Sequence, residues 1–459
     1  MSLFDLSEVF KKRIRTVSLF GFGKSAMALL PHLTFAGYDV TVRDDSTKCD
    51  ALIPRDIKRR LGHSSEDGID EDLMIIAPSV RRDRFNKLRK STILTSDTDI
   101  FFRLFTGKSF CISGSSGKST SSTYLHEILS SSGNSHLIGN IGAPMTDALL
   151  CGGISRAVCE ISSFNLQYDN IIPYRATVTN VKRNHLNWHK DFDEYIDAKL
   201  RLLRSALSFT VNCDDIVTRD FAVLSDCYAC YSLDFDYNSL HKLYKDKIIF
   251  TSSENGILRN DVLIISSDMI KKLPRYNVYN LLSALSLADG EYDASALSDV
   301  IRAHKALSHR CEEFLSLAGV RYIDSSIDTS PDRTAETLLS LKGDIILLLG
   351  GRSKGESYSR LAPIIKEKCK TVLCFGEARG KIREDLSSID IPISSHKTMR
   401  EAALIGMSRA ALGDTLLLSP ASTSFDEFCS FEERGDTFKK IIKDAARQEN
   451  TGDENEKTN

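Results

Sequence analysis

Twice in its first 130 residues the chain runs an apolar strand into a glycine turn and out into a helix. The first unit is "RTVSLFGFGKSAMALL" (15–30) and the second "KSFCISGSSGKSTSSTYL" (108–125). A strand followed by a helix cannot fold straight back as a hairpin; it must cross over and pair in parallel. "YDVTVRDD", "DLMIIAPSV" and "KSTILTSDTDIFFRLF" continue the alternation between these units. Chains built this way form parallel, doubly wound sheets with helices on both faces.

Each glycine turn carries its own chemistry. Gly21-Phe22-Gly23-Lys24-Ser25-Ala26 fits the dinucleotide pattern G-x-G-x-x-[GA], with Asp44 near the ribose-binding distance. Backbone N–H groups at a helix start donate to any pyrophosphate, so NAD and a UDP-sugar satisfy it equally. Gly114-Ser115-Ser116-Gly117-Lys118-Ser119-Thr120 ends as phosphate loops end, but Ile112 stands where the longer G-x-x-x-x-G-K-[ST] pattern has its first Gly. In a phosphate loop the backbone wraps the β- and γ-phosphates, Lys118 neutralises them and Ser119 reaches Mg²⁺. A Ser-rich helix cap with a solvated Lys118 fits the heptapeptide alone about as well. Further on, "CEISSFNLQ" puts Glu160 at a strand end, and "TVTNVKRNHLNWHKDF" puts His185 at another. Strand ends are where ligands gather in open α/β sheets. Lys199, inside "DEYIDAKLRLL", reads by itself as a surface lysine.

The length, 459 residues, exceeds what one core usually fills. The pattern predicts an α/β chain of three domains, each a mainly parallel sheet with flanking helices. These are a Rossmann-like domain over 1–105, a P-loop ATPase-type domain over 106–307 and a second Rossmann-like domain over 308–446. A disordered tail over 447–459 has no apolar residues to bury. Sixty basic and 62 acidic residues leave no charge excess to drive nucleic-acid binding. Eleven scattered Cys without C-x-x-C pairs suit reduced thiols. No apolar run reaches the ~18 residues that a membrane span needs, and the N-terminus does not read as a signal peptide. A cytoplasmic protein with no membrane insertion is expected.

Taken together, these segments resemble the Mur ligases, ATP-dependent enzymes that add amino acids to the peptidoglycan precursor. Residues 114–119 match that family's short G-[TS]-x-G-K-[ST] loop. "GNIGAP" (139–144), "EISSFNL" (160–166), "TNVKRNHL" (179–186), "YNVYN" (276–280) and "HRCE" (309–312) are similar to its other stretches, in the right order. "LLLGGRSKG" (347–355) and "LLLSPASTSFDEFCSFEERGDTF" (416–438) resemble the branch that adds D-glutamate to UDP-N-acetylmuramoyl-L-alanine.

The resemblance implies roles for particular residues. Gly21, Gly23, Ser25, Asp44, Asp45, Pro78, Ser79, Asn140 and Ser162 would hold the UDP-linked substrate. Gly114, Ser115, Ser116, Gly117, Lys118, Ser119 and Thr120 would bind ATP, with Asn277, Asn280, Arg310 and Asp324 contacting the nucleotide. Lys118, Glu160, His185 and Lys199 would be catalytic. Ser119, Glu160, His185 and a carbamylated Lys199 would hold two Mg²⁺ ions. Thr329, Lys354, Ser424 and Phe431 would receive D-glutamate. A monomer is expected. The implied reaction activates a carboxylate as an acyl phosphate, which the D-glutamate amine attacks.

Four positions depart from the family pattern. Ile327 replaces a Lys, Ser325 an Asp, Asn184 the Asp before His185, and Tyr276 a His. Asp324 stands beside the missing carboxylate and is a candidate to replace it. Three other readings are weighed: a related amide ligase with a different amino acid, an NAD(P)-dependent oxidoreductase resting on the first glycine turn, and a phosphate-loop regulator without ligase chemistry.

Overall fold

The computed structural model describes residues 5–85, 91–150, 153–183, 188–271, 273–304, 308–341 and 343–456. It divides into two compact units, Met1–His304 and Lys305–Asn459.

The first unit holds two sheets. Strands β1 (Thr16–Phe20), β2 (Asp39–Asp44), β3 (Lys58–Leu61), β4 (Leu73–Ile76) and β5 (Ile93–Thr95) form an all-parallel sheet in the order β3-β2-β1-β4-β5. The chain order reverses at β1, so the turn after it opens the crevice where such sheets bind ligands. "LMII" of β4 is buried throughout, as a strand covered on both faces requires.

The second sheet has nine strands: β6 (Lys108–Ser113), β7 (Ser135–Gly139), β8 (Arg156–Glu160), β9 (Arg175–Val178), β10 (Ser208–Asn212), β11 (Ala229–Ser232), β12 (Ile248–Ser253), β13 (Gly256–Arg259) and β14 (Val262–Ser266). Their order is β14-β13-β12-β11-β10-β9-β6-β8-β7, with only the β12–β13 and β13–β14 pairings antiparallel. β6 lies between β8 and β9, with Ile112 opposite Glu160 and Ser113 opposite Val178. The ends of three strands are therefore adjacent.

Sequence boundaries at 105 and 307 separate three domains, whereas the first two sheets share one compact unit. The reason is a polar seam between them. Arg82 pairs with the buried Asp169, and Asn165 Nδ2 donates to Thr98 Oγ1 at 2.9 Å. Arg81 donates to the Trp188 carbonyl at 2.8 Å.

The second unit has one sheet of β15 (Glu312–Leu317), β16 (Val320–Asp324), β17 (Ile345–Gly350), β18 (Cys369–Phe375), β19 (Ile393–Ser395) and β20 (Thr415–Leu418). The order is β15-β16-β20-β17-β18-β19, antiparallel only at β15–β16. The loops after β16, β20 and β17 leave the same edge side by side.

Helix Phe431–Glu456 continues through residues 447–456, where the sequence predicts a disordered tail. Phe438, Ile441, Ile442 and Ala446 bury its first half. Once a helix is nucleated, extending it costs little even without packing. The ten described cysteines are free thiols, and no described helix is long and apolar enough to cross a membrane.

Candidate active site

The loop between β6 and the helix Lys118–Ser130 depends on its two glycines. Gly117 has φ +81°, and a Cβ there would lie 2.3 Å from Asn280 Oδ1. Gly114 has φ +148°, and its Cβ would meet Thr179 Oγ1 at 1.9 Å. Only glycine fits both positions. Partners from neighbouring strand ends fix the residues between. Ser115 N donates to the Asn180 carbonyl at 2.9 Å and Ser116 N to Asn180 Oδ1 at 3.0 Å. Thr179 Oγ1 donates to the Ser116 carbonyl at 2.6 Å. Asn280 Nδ2 donates to Asn277 Oδ1 at 3.3 Å, so both asparagines of helix Arg275–Ala288 stand behind Gly117. Ser119 and Thr120 open the helix after Lys118.

Two amines converge on this loop. Lys118 Nζ donates to the Gly114 carbonyl at 2.9 Å, and Lys199 Nζ donates to the same oxygen at 2.9 Å. Lys199 is 1% exposed, not the surface residue its local sequence suggests. Tyr195, Lys199, Leu202 and Leu203 share the buried face of helix Phe192–Ser205 at helical spacing. Burial first, then the Lys118 charge, push the Lys199 amine well below the ordinary lysine range, against the opposing pull of Glu160. Glu160 ends β8 at 5% exposure, and its Oε2 is buried without a hydrogen-bond partner among the described residues. An unpartnered buried carboxylate oxygen fits a cation ligand. His185 and Asn184 lie outside the described residues.

A cleft opens over the first glycine turn. Six of the predicted substrate residues line it: Gly21, Gly23, Ser25, Pro78, Ser79 and Asn140. Gly21 has φ +88°, and a Cβ there would lie 2.7 Å from that of Ala77. Asp97 also lines the cleft and was not anticipated; it is buried in the first turn of helix Asp97–Leu104, and burial raises its pKa. Three predicted residues do not line this cleft. Asp44 ties down the turn itself, accepting from Phe22 N and Ser46 N at 2.7 Å each. Asp45 is held in a fork by Arg84 at 2.7 and 3.0 Å, and borders a neighbouring cleft with Ser65. Ser162 caps the helix Ser163–Tyr168. Asn140 connects the cleft to the phosphate loop region, because its N–H donates to the Glu160 carbonyl at 3.1 Å.

In the second unit, Thr329, Lys354, Ser424 and Phe431 occupy the three loops at the sheet edge and the start of the last helix. Lys354 Nζ donates to Thr329 Oγ1 at 3.3 Å. Ser326 Oγ donates to the Phe431 carbonyl at 2.8 Å, and Ser424 is buried. Arg434, fully buried, donates to Ser326 Oγ, the Ser326 carbonyl and the Ser422 carbonyl at 2.9, 2.8 and 3.1 Å. Burial lowers its pKa to about 10. Arg310 is half-buried in the turn before β15. Asp324 is fully buried, with Oδ2 2.7 Å from His309 Nδ1 and Oδ1 accepting from Ser326 N at 2.9 Å. It presents no surface to a nucleotide. Asp328 is buried as well, accepting from Thr337 and Ser419. Both carboxylates are thus held by hydrogen bonds inside the second unit.

Residues 112–288 match the model of the Mur ligase middle domain. The UDP-N-acetylmuramoylalanine–D-glutamate ligase of Acetivibrio thermocellus is 32% identical over 94% of this chain and 97% of its own length. That of Ruminiclostridium cellulolyticum is 31% identical over 95% and 98%. Among solved structures, UDP-N-acetylmuramate–alanine ligase of Thermotoga maritima superposes with a TM-score of 0.60 at 16% identity, covering 94% of this chain and all of that one. A MurF ligase of the same organism, solved in complex with ADP, gives 0.56 at 14% identity, covering 95% and 97%.

Proposed function

The chain belongs to the Mur ligase family, and on that premise we propose that it joins D-glutamate to UDP-N-acetylmuramoyl-L-alanine with ATP as the energy source, a step of peptidoglycan synthesis. The observation that carries this reading is the junction at Asn140. One end of it lines the glycine-turn cleft and the other is bonded to the Glu160 backbone, beside Lys118 and Lys199. A UDP-substrate in that cleft extends its far end toward the phosphate loop.

The chemistry follows from the problem of leaving groups. A carboxylate does not acylate an amine at neutral pH, because oxide would have to leave. Attack of the L-alanyl carboxylate on the γ-phosphorus releases ADP and gives an acyl phosphate, whose leaving group is phosphate. The D-glutamate amine adds to the carbonyl, loses a proton, and the tetrahedral adduct collapses to the amide. Lys118 offsets charge on the transferred phosphoryl group, and the loop N–H groups orient it. Ser119, Glu160 and a carbamate on Lys199 would hold Mg²⁺, which supplies Lewis-acid stabilisation of the phosphoryl oxygens when bound. The depressed Lys199 amine suits carbamylation: a neutral R–NH₂ adds CO₂ to give R–NH–COO⁻ and a proton.

Each sheet then serves one substrate, and the division at 105 and 307 is a division of labour. Thr329, Lys354, Ser424 and Phe431 would receive D-glutamate. The test is ADP release with UDP-N-acetylmuramoyl-L-alanine and a panel of amino acids. D-Glutamate alone should support turnover; preference for L-alanine, meso-diaminopimelate or L-glutamate would move the chain to another branch.

A further inference from the structure

The loop after β16 lacks the lysine that its resemblance calls for, since Ile327 stands there. We infer that Arg333 supplies the missing cation and grips one carboxylate of the amino-acid substrate. This rests on the D-glutamate reading above.

Arg333 lies in the first turn of helix Pro331–Ser340, half-buried, and folds back over the loop. Its NH1 donates to the Ile327 carbonyl at 3.0 Å, the same oxygen that accepts from Thr329 N at 2.8 Å. On the other side of Thr329, Lys354 Nζ donates to its hydroxyl at 3.3 Å. A guanidinium and an ammonium therefore flank one threonine. The lost lysine side chain and Arg333 meet at the same residue, so the charge has moved from position 327 to a group bonded to its backbone.

Asp328 lies near Arg333 and Glu356 near Lys354, but neither acid pairs with its cation. Among the described residues, neither Arg333 nor Lys354 makes an ion pair within 4.0 Å. Two acids of the neighbouring segments are taken by Arg360, Asp332 at 2.7 Å and Glu356 at 3.7 Å. Loss of water lowers the Lys354 pKa; Glu356 opposes this, and Arg333 and Arg434 lower it further. Arg434 spends its donors on Ser326 and Ser422, so it buttresses the loops. Arg333 differs: its Nε and NH2 have no acceptor among the described residues. A planar fork with free donors matches a carboxylate in two-point contact, which a lysine cannot reproduce. An amino acid with two carboxylates relieves the repulsion between the two cations, and a neutral side chain relieves less of it.

A loop clamp through Ile327 would use Arg333 without touching substrate, and steady-state kinetics separate the two roles. Wild-type turnover with D-glutamate is measured first; its absence would end the functional reading itself. Given that turnover, Arg333→Ala should raise the KM for D-glutamate at least about tenfold, the scale of one charge-assisted contact. The KM values for ATP and the UDP-substrate should stay within about twofold, and the melting temperature unchanged, because those ligands make no use of this guanidinium. Ile327→Lys added to Arg333→Ala should recover most of the loss by returning an ammonium to the loop. An unchanged KM for D-glutamate would overturn the inference. So would a rise in all three KM values with a fall in melting temperature, or a double variant no better than Arg333→Ala.

Discussion

The Nζ atoms of Lys118 and Lys199 lie 2.9 Å from one acceptor, the carbonyl oxygen of Gly114. Two ammonium groups so placed repel, and the buried one gives up its proton more readily. A Lys199 amine that loses its proton this way is in the form that takes up CO₂. Lys199→Ala should lower turnover at least about a hundredfold, as loss of a group organising a metal site does. Formate or acetate should restore part of it by supplying the missing anion. Turnover assayed with and without bicarbonate checks the same point; full activity of Lys199→Ala without any additive would remove the carbamate.

Gly117→Ala tests the loop. The new methyl meets Asn280 Oδ1 while the backbone is held at φ +81°. Strain of this kind costs about 1–3 kcal/mol. The expected outcome is a lower melting temperature and no thermal shift on adding ATP and Mg²⁺. A variant that melts and binds like the wild type would show that the loop does not hold this shape.

The first sheet depends on a buried ion pair. Arg43 is 2% exposed; it contacts Glu71 at 2.8 Å and the carbonyls of Ser65, Asp67 and Gly68. Glu71→Ala leaves the guanidinium buried without its counter-charge, at a cost of about 3–5 kcal/mol. Urea unfolding measures it. Replacing both residues by apolar ones of similar volume should recover much of the loss.

Stability of the second unit should fall as pH rises through the His309 transition. Asp324, 2.7 Å away, raises the His309 pKa above 6.5 against burial and Lys439, with Asp436 adding to the rise and Glu312 bonded to the His309 N–H. The folded state then binds the proton more tightly than the unfolded chain. The stabilisation is full below pH 6.5 and is lost as pH climbs through the raised value. His309→Gln should flatten this slope in denaturant midpoints measured across the window; an unchanged slope would refute it.

Much of this architecture is written in local patterns. Gly21, Gly114 and Gly117 are legible because their positive φ and close neighbours suit no other residue, and Glu160 because it ends an apolar run. Lys199 is different: a lysine four residues after a tyrosine reads as solvated, and only the packing of helix Phe192–Ser205 against β9 and the loop buries it. Asp44 stands at the distance of a ribose ligand, but its carboxylate turns inward to the Phe22 and Ser46 amides. Sequence separation cannot reveal which way a side chain points. Asp324 is similar, since adjacency to Ser325 says nothing of its full burial. Asp97 and Arg333 lie in no quoted motif, and the bonds of Arg434 to Ser326, 108 residues away, are invisible in its own segment.

The central claim is that the substrate carboxylate becomes an acyl phosphate before amide formation. It is tested by running the reaction with UDP-N-acetylmuramoyl-L-alanine labelled with ¹⁸O in the alanyl carboxylate, plus ATP, Mg²⁺ and D-glutamate, and weighing the products. The account predicts one ¹⁸O in the released inorganic phosphate, none in ADP, and an amide that keeps only the other carboxylate ¹⁸O. Phosphate without the label, or ADP released at the same rate when D-glutamate or the UDP-substrate is omitted, would contradict it.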